Sequence, residues 1–170
     1  MQCIYQTIND LLPFLTAFPM CQTLTSAATT ARPDRKTMNQ GQNWISQAKR
    51  LAIYMRDGFA CCYCGRGVEE KGLVLTLEHI VPYSKGGALL DPINLITACR
   101  SCNSARGNKA LTSYVKANAE KWGRHADCVL SYIRRHRAMP INTKASKAMI
   151  DERGSCRKVL DVVVQGDPIK

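Results

Sequence analysis

The side chains best suited to chemistry are four cysteines, arranged as two pairs in the middle of the chain. Cys61 and Cys64 form one C-x2-C pair, and Cys99 and Cys102 form a second. Glycine or turn-forming residues flank each pair, and four thiolates from two such tight turns satisfy a tetrahedral zinc ion. The spacing therefore predicts structural zinc. A thioredoxin-like redox pair and disulfides are the alternatives, but a redox pair needs no duplicate and disulfides need an oxidising compartment.

The remaining cysteines and histidines narrow this prediction. The chain has nine cysteines, so complete internal pairing is impossible, and a reducing compartment such as the cytoplasm is expected. Cys62 is left over between the ligands and is predicted to be a packing residue. A C2H2 zinc finger is excluded because no two histidines lie about three to five residues apart. A nucleobase deaminase is excluded because Glu78 precedes His79 and neither cysteine pair follows a proline.

The segment between the cysteine pairs carries a carboxylate beside a histidine, Glu78-His79. A histidine, with an ordinary pKa of about 6.5, can accept a proton near neutral pH. A hard divalent cation on oxygen ligands can neutralise a phosphate and its leaving group. Glu78 offers a carboxylate and Asn103, directly after the last cysteine, offers an amide oxygen. On a strand, Glu78 and His79 point to opposite faces, so one can bind metal while the other faces a water.

These residues stand in an ordered series that resembles the HNH endonucleases, the ββα-metal nucleases. The series runs from residue 56 to 109: C-x2-C, acid-His with Ile-Val-Pro, Ser-x-Gly-Gly, Asn-Leu, C-x2-C-Asn and a basic tail. The resemblance implies that Glu78 and Asn103 hold a catalytic metal and that His79 is the general base. It also implies that Asn94 braces the loop carrying the base and orients the imidazole. The implied reaction is DNA hydrolysis leaving 5′-phosphate and 3′-hydroxyl ends.

Two positions depart from the common pattern of that family. Glu78 stands where Asp is common, and Asn103 stands where His is common. Both changes affect which metal is preferred, because the longer acid shifts the ion and the amide is a weaker ligand. Two hard oxygen ligands favour Mg2+ or Mn2+ over zinc at this second site.

Positive charge surrounds the predicted site and extends beyond it. The chain carries 24 Lys and Arg against 13 Asp and Glu, a net charge of +11, which suits a polyanion such as DNA. Residues predicted to contact DNA phosphates, with a merely solvated face as the alternative, are Lys85, Arg100, Arg106 and Lys109. Residues 111–170 carry a net charge of +6 and are expected to add general duplex affinity, through Arg134, Arg135, Arg137, Lys144 and Lys147. No base-reading element is recognisable.

Apolar periodicity and turn residues predict the elements that position these side chains. Helices are expected over 44–56, 102–107, 112–121 and 126–137, a hairpin with loops over 59–98, and a strand over 159–164. The predicted fold is α+β, a small zinc-stabilised ββα-metal (HNH) core with flanking helices. The predicted organisation is a leader over 1–43, the nuclease domain over 44–110 and a basic helical extension over 111–170.

The leader and the membrane prediction rest on composition. Residues 1–31 carry one charge, Asp10, and lack the basic start of a secretory signal; they vaguely resemble an acid-poor transit peptide. A dispensable leader, or translation starting at Met38, is expected. No apolar run reaches about 18 residues, so no membrane partner is predicted.

The function predicted from the sequence is divalent-metal-dependent DNA cleavage. One such site cuts one strand, so cleavage of both strands needs a homodimer or two events. The alternatives are a non-catalytic zinc module that binds nucleic acid and, third, a structural partner-binding protein. The acid-histidine pair argues against both alternatives, since neither needs it.

Overall fold

The computed structural model describes residues 44–165, where six α-helices surround a two-stranded antiparallel sheet. The predicted leader over 1–43 lies outside the described residues. The elements are α1 (Gln47–Arg56), β1 (Leu75–His79), β2 (Leu95–Cys99), α2 (Arg100–Arg106), α3 (Leu111–Asn118), α4 (Ala126–Ala138), α5 (Thr143–Arg153) and α6 (Cys156–Gln165). This is the α+β class that the sequence predicts. Within residues 44–165 no helix is long and apolar enough to cross a bilayer.

The sheet separates two groups of buried side chains, because neighbouring residues on a strand face opposite ways. The zinc-side core contains Ile96 and Ala98 from β2 together with the cysteine pairs and side chains from α3 and α4. The histidine-side core contains Leu75, Leu77 and Leu95 together with side chains from α1 and α6. In the strand register Glu78 lies opposite Ile96 and His79 opposite Leu95. Glu78 and His79 therefore face different cores.

A buried ion pair fixes α1 against β2. Arg56, the last residue of α1, contacts the Asp57 carboxylate at 2.8 Å and donates to the Leu95 carbonyl at 2.7 Å. Asp57 in turn accepts the backbone N–H of Thr97 at 2.7 Å. A buried pair is tolerated when hydrogen bonds satisfy both of its members, as they do here. The start of β2, and with it the preceding loop, is thus held in place from α1.

The described elements differ from the predicted ones mainly at the C-terminal end. Residues 159–164 form part of α6 and not a strand, which corrects that prediction. One side of this valine-rich run packs into the histidine-side core through Val159, Leu160 and Val163, which are spaced as on one face of a helix. This packing outweighs the strand propensity of the valines. Helix α5 was not predicted, and it lies mostly at the surface.

The predicted helices are found with shifted ends. The helix expected from residue 44 begins at Gln47, after Ser46 accepts the N–H of Lys49 and caps it. Helix α2 begins at Arg100, two residues before its predicted start, because Cys99 caps it. Helix α3 ends at Asn118, where a short 3-10 turn replaces the last predicted residues.

Candidate active site

The four predicted zinc ligands converge at one point beside the start of α2. The Sγ atoms of Cys61, Cys64, Cys99 and Cys102 all lie within 4.8 Å of one another, and those of Cys64 and Cys99 are 3.9 Å apart. A tetrahedral site with Zn–S bonds of about 2.3 Å needs sulfur atoms about 3.8 Å apart. The described cysteines are all free thiols. The cluster therefore fits zinc, as predicted from the spacing.

Backbone hydrogen bonds shape the turns that carry these cysteines. The N–H of Gly65 donates to the Cys61 carbonyl at 2.8 Å, and Gly65 has a φ of +80°, which glycine adopts without strain. Cys62 is buried, and its N–H donates to the Thr97 carbonyl at 2.9 Å, which ties the turn to β2. Cys62 is thus the packing residue that the sequence predicts.

Arg66 supports the thiolates from outside the cluster and was missed in the sequence. Its guanidinium donates to Cys64 Sγ at 3.4 Å and to Cys99 Sγ at 3.6 Å, and it pairs with Glu70. Hydrogen bonds from Cys102 and Cys61, and then from Arg66, hold the pKa of the Cys64 thiol well below its usual range. A deprotonated thiol is the form that binds zinc.

Glu78 lies between β1 and α2, where its carboxylate forms an ion pair with Arg106. The Glu78 side chain is 8% exposed and that of Arg106 is 1% exposed. Arg106 also donates to the carbonyls of His79 and Ile80. Burial raises the pKa of Glu78 from its usual value, and the Arg106 guanidinium opposes that rise. The pair thus keeps a carboxylate at a nearly dry position.

Asn103 faces the same strand from the middle of α2. Its amide nitrogen donates to Thr76 Oγ1 at 2.9 Å and to the Leu77 carbonyl at 3.1 Å. No described residue donates to its amide oxygen. The structure therefore brings both predicted metal ligands, Glu78 and Asn103, to the α2 side of β1. Carboxylate and amide oxygens fit a hard divalent cation, but the Arg106 charge on Glu78 opposes one.

His79 lies on the opposite face of β1 and is half-buried. Its Nε2 is 3.0 Å from the Leu89 carbonyl oxygen, and its ring stacks at a tilt on Trp44 with centroids 5.0 Å apart. A carbonyl can only accept, so Nε2 carries the proton and Nδ1 keeps the free lone pair. Burial, and then the Arg106 charge, lower the pKa of His79, which keeps the imidazole neutral near pH 7. The ring is thus held ready to accept a proton at Nδ1.

Asn94 braces the loop that follows His79. Its Oδ1 accepts the N–H of Val81 at 2.8 Å, while its Nδ2 donates to the carbonyls of Val81 at 3.0 Å and Ala88 at 2.8 Å. No hydrogen bond joins Asn94 to the imidazole itself. Asn94 instead fixes the chain beside Leu89, whose carbonyl holds the ring. A side chain at Gly87 would collide with the Val81 carbonyl and with Asn94, so this loop requires glycine there.

The four basic residues predicted to contact phosphates do not share one environment. Arg100, Lys85 and Lys109 are exposed; Lys85 and Lys109 donate to the carbonyls of Asn108 and Ala105. Arg106 is buried, which corrects its prediction as a phosphate contact. Its place beside the predicted site in the sequence suggested a phosphate contact, but helix α2 turns it inward toward Glu78.

A surface pocket of about 400 Å³ lies on the zinc side, away from Glu78 and His79. Its lining includes Arg66, Lys71, Arg100 and Cys99. The negative charge of Glu70, and of the Cys99 thiolate that would bind zinc, offsets these cations. The pocket therefore adds little to the predicted chemistry.

Comparison with known proteins identifies the same central segment. The family model described as HNH endonuclease matches residues 61–109. Neither a curated protein nor a solved structure matches the chain. The match begins at the first cysteine ligand, includes Glu78, His79 and Asn103, and ends at Lys109. It supports a nuclease-like function that involves metal and nucleic acid. Residues 61–109 thus match the HNH endonuclease family model, in agreement with the resemblance seen in the sequence.

Proposed function

We propose that this protein is a divalent-metal-dependent DNA endonuclease in which His79 is the general base. The observation that carries the proposal is the setting of His79. The Leu89 carbonyl accepts a hydrogen bond from Nε2, Trp44 stacks on the ring, and burial keeps the imidazole neutral. These contacts leave Nδ1 free to accept the proton of an attacking water.

In this proposal, the two faces of β1 have separate roles in metal binding and proton transfer. Glu78 and Asn103 would hold Mg2+ or Mn2+ on the α2 side, and this ion would neutralise the phosphate and the leaving 3′-oxygen when bound. His79 takes the proton on the other side of the strand end. Asn94 keeps the following loop in register, so that the Leu89 carbonyl stays within reach of the imidazole. Asn94 therefore acts through the loop and not on the reacting atoms.

The cysteine cluster is proposed to hold structural zinc. Zinc held by these cysteines would join the first turn, Cys61–Cys64, to the start of α2 and to the end of β2. The same helix carries Asn103 and Arg106. The ion would therefore position the ligand side of the site without taking part in the chemistry. Thiolate ligands are consistent with a reducing compartment such as the cytoplasm.

The exposed cations are proposed to hold DNA. Lys85, Arg100 and Lys109 flank the predicted site residues in the sequence and are exposed, and further exposed basic residues follow on α4 and α5. The latter are Arg134, Arg135, Lys144 and Lys147. Since these contacts carry no sequence information, we propose backbone affinity alone. One site per chain nicks one strand, and a double-strand break would need a homodimer or two separate events.

The test is nicking of supercoiled plasmid in Mg2+ or Mn2+, comparing the wild type with His79→Ala. We expect the wild type to nick, chelation by EDTA to stop it, and His79→Ala to nick about 10²–10⁴-fold more slowly. DNA binding, measured by anisotropy, should survive in the variant. If His79→Ala nicks as fast as the wild type, His79 is not the base.

A second candidate is a non-catalytic zinc module that binds nucleic acid. The ion pair of Glu78 with Arg106 favours it, because the pair satisfies the carboxylate without metal. The same assay separates the candidates: the module binds DNA in every condition and nicks in none.

A further inference from the structure

Arg106 is a charged residue in an interior position, where an unpaired guanidinium is strongly unfavourable. Arg106 is 1% exposed. Its Nη1 and Nη2 groups donate hydrogen bonds to three acceptors at the end of β1. Nη1 donates to the Glu78 carboxylate and the His79 carbonyl, and Nη2 donates to the Ile80 carbonyl. Only its Nε lacks a partner. The side chain therefore holds the acid and the backbone around the histidine together.

The position of Arg106 on α2 links this clamp to the cysteine cluster. The helix begins beside Cys99, contains Cys102 in its first turn and carries Arg106 in its last. Gly107 ends it, donating its N–H to the Asn103 carbonyl at 3.1 Å. A cation in the last turn also suits the helix dipole. A zinc ion that fixes the start of α2 therefore also fixes where Arg106 meets β1.

The same contact affects the oxygen ligands. Glu78 is the single carboxylate of the proposed metal site, and it already has a buried positive partner. A like charge beside a ligand disfavours a second cation, just as an opposite charge favours one. Asn103 is neutral and cannot compensate. The pair thus stabilises Glu78 in the absence of metal and opposes metal entry.

We propose that Arg106 is a positioning residue that competes with the divalent cation for Glu78 while clamping the backbone of His79 and Ile80. This inference rests on the proposed function, since it concerns the same site. It sets two effects of Arg106 against each other. Its charge weakens metal affinity, and its hydrogen bonds support turnover. Removing the side chain should therefore tighten metal binding and slow the reaction at the same time.

The experiment measures Mn2+ binding to the zinc-loaded protein by electron paramagnetic resonance, and nicking at saturating Mn2+. Hard Mn2+ reports the oxygen ligands and not the soft cysteine cluster. Arg106→Gln should lower the Kd for Mn2+ by about tenfold or more. Its kcat for nicking should fall at saturating Mn2+. Glu78→Gln should abolish Mn2+ binding.

Two further variants separate the clamp from general charge and folding effects. Arg157→Gln removes the same charge from an exposed position on α6 and should leave the Kd for Mn2+ and the kcat unchanged. Arg106→Lys keeps the charge but cannot donate as a fork, so its Kd should match the wild type while its kcat falls. If Arg106→Gln fails to retain zinc, the Arg106→Lys comparison decides.

The outcomes distinguish this inference from the proposed function. If Arg106→Gln binds Mn2+ more tightly but neither the wild type nor any variant nicks DNA, the result supports competition between Arg106 and the metal and overturns the proposed nuclease function. A nicking wild type with weaker or unchanged Mn2+ binding by Arg106→Gln overturns the competition alone. If Arg106→Lys loses Mn2+ affinity and kcat together, Arg106 serves structure and does not compete.

Discussion

The two candidate metal sites of this molecule are built in opposite ways. In the cysteine cluster, four sulfur atoms converge within 4.8 Å and Arg66 donates hydrogen bonds to two of them. At the second site, one carboxylate and one amide lie between β1 and α2, and Arg106 already neutralises the carboxylate. Positive charge supports ligand deprotonation in the first site and competes with the metal in the second. Closed sites serve structure, whereas catalytic sites keep positions open.

Helix α2 connects the two sites, so a structural change in one site can alter the other. It begins at the cysteine cluster and ends at Arg106. The comparison therefore predicts asymmetry: loss of the cysteine cluster should destroy both sites, whereas changes around Glu78 and His79 should leave zinc in place.

The largest effect is expected from Cys99→Ser. Structural zinc contributes apparent binding energy of about 10–16 kcal/mol, as much as the total stability of a domain. The variant should lose zinc and unfold, which circular dichroism and zinc analysis would record. Cys128→Ser changes an exposed cysteine and should retain both the zinc and the fold. A Cys99→Ser protein that holds no zinc but melts at the wild-type temperature would contradict a structural role for zinc.

Asp57→Asn should come next. It breaks a fully buried ion pair and should destabilise the protein by about 3–5 kcal/mol. Asp151→Asn removes one partner of the exposed pair with Lys147 and should cost far less stability, because solvent screens the pair. Chemical denaturation at fixed zinc measures both. Equal costs would show that the Arg56–Asp57 pair does not hold α1 against β2.

Trp44→Ala should slow nicking without loss of zinc. The ring of Trp44 restrains His79, and aromatic contacts of this kind contribute about 0.5–1.5 kcal/mol, or roughly 2- to 13-fold in rate. Trp44→Phe keeps an aromatic ring and should fall between the two. Zinc loss from Trp44→Ala would contradict the separation of the sites.

The smallest effects are expected from single exposed lysines. Lys85→Gln or Lys109→Gln should each reduce the slope of log affinity against log salt by at most about 0.9, the value for one phosphate contact on duplex DNA. Zinc content and Mn2+ affinity should not change. A wild-type affinity that ignores salt would show that backbone phosphates are not the partner.

The sequence predicts one site better than the other for a physical reason. Cys61, Cys64, Cys99 and Cys102 act through side-chain type and spacing, and both are visible in the chain. Glu78, His79 and Asn94 are visible because they follow a fixed order. Arg106 was misjudged, because only the packing of α2 on β1 shows that it turns inward.

Other contacts leave no pattern in the sequence. The Leu89 carbonyl that holds His79 is a backbone atom, and Trp44 reaches the imidazole from a distant position in the chain. The 159–164 run has strand propensity, but tertiary packing makes it helical, and the exposed surface of α5 gives little apolar periodicity. These features depend on which elements meet, and local composition does not specify that.

Chemical rescue of His79→Ala tests the central claim most directly. The substitution removes the imidazole and leaves Trp44 and the Leu89 carbonyl in place, so free imidazole can bind there and accept the proton. In Mn2+, with zinc content unchanged, we predict that added imidazole restores part of the plasmid nicking lost in His79→Ala, and that the restored rate follows the neutral fraction of imidazole. A wild type that never nicks, or a His79→Ala protein that nicks at the wild-type rate without imidazole, would contradict the account.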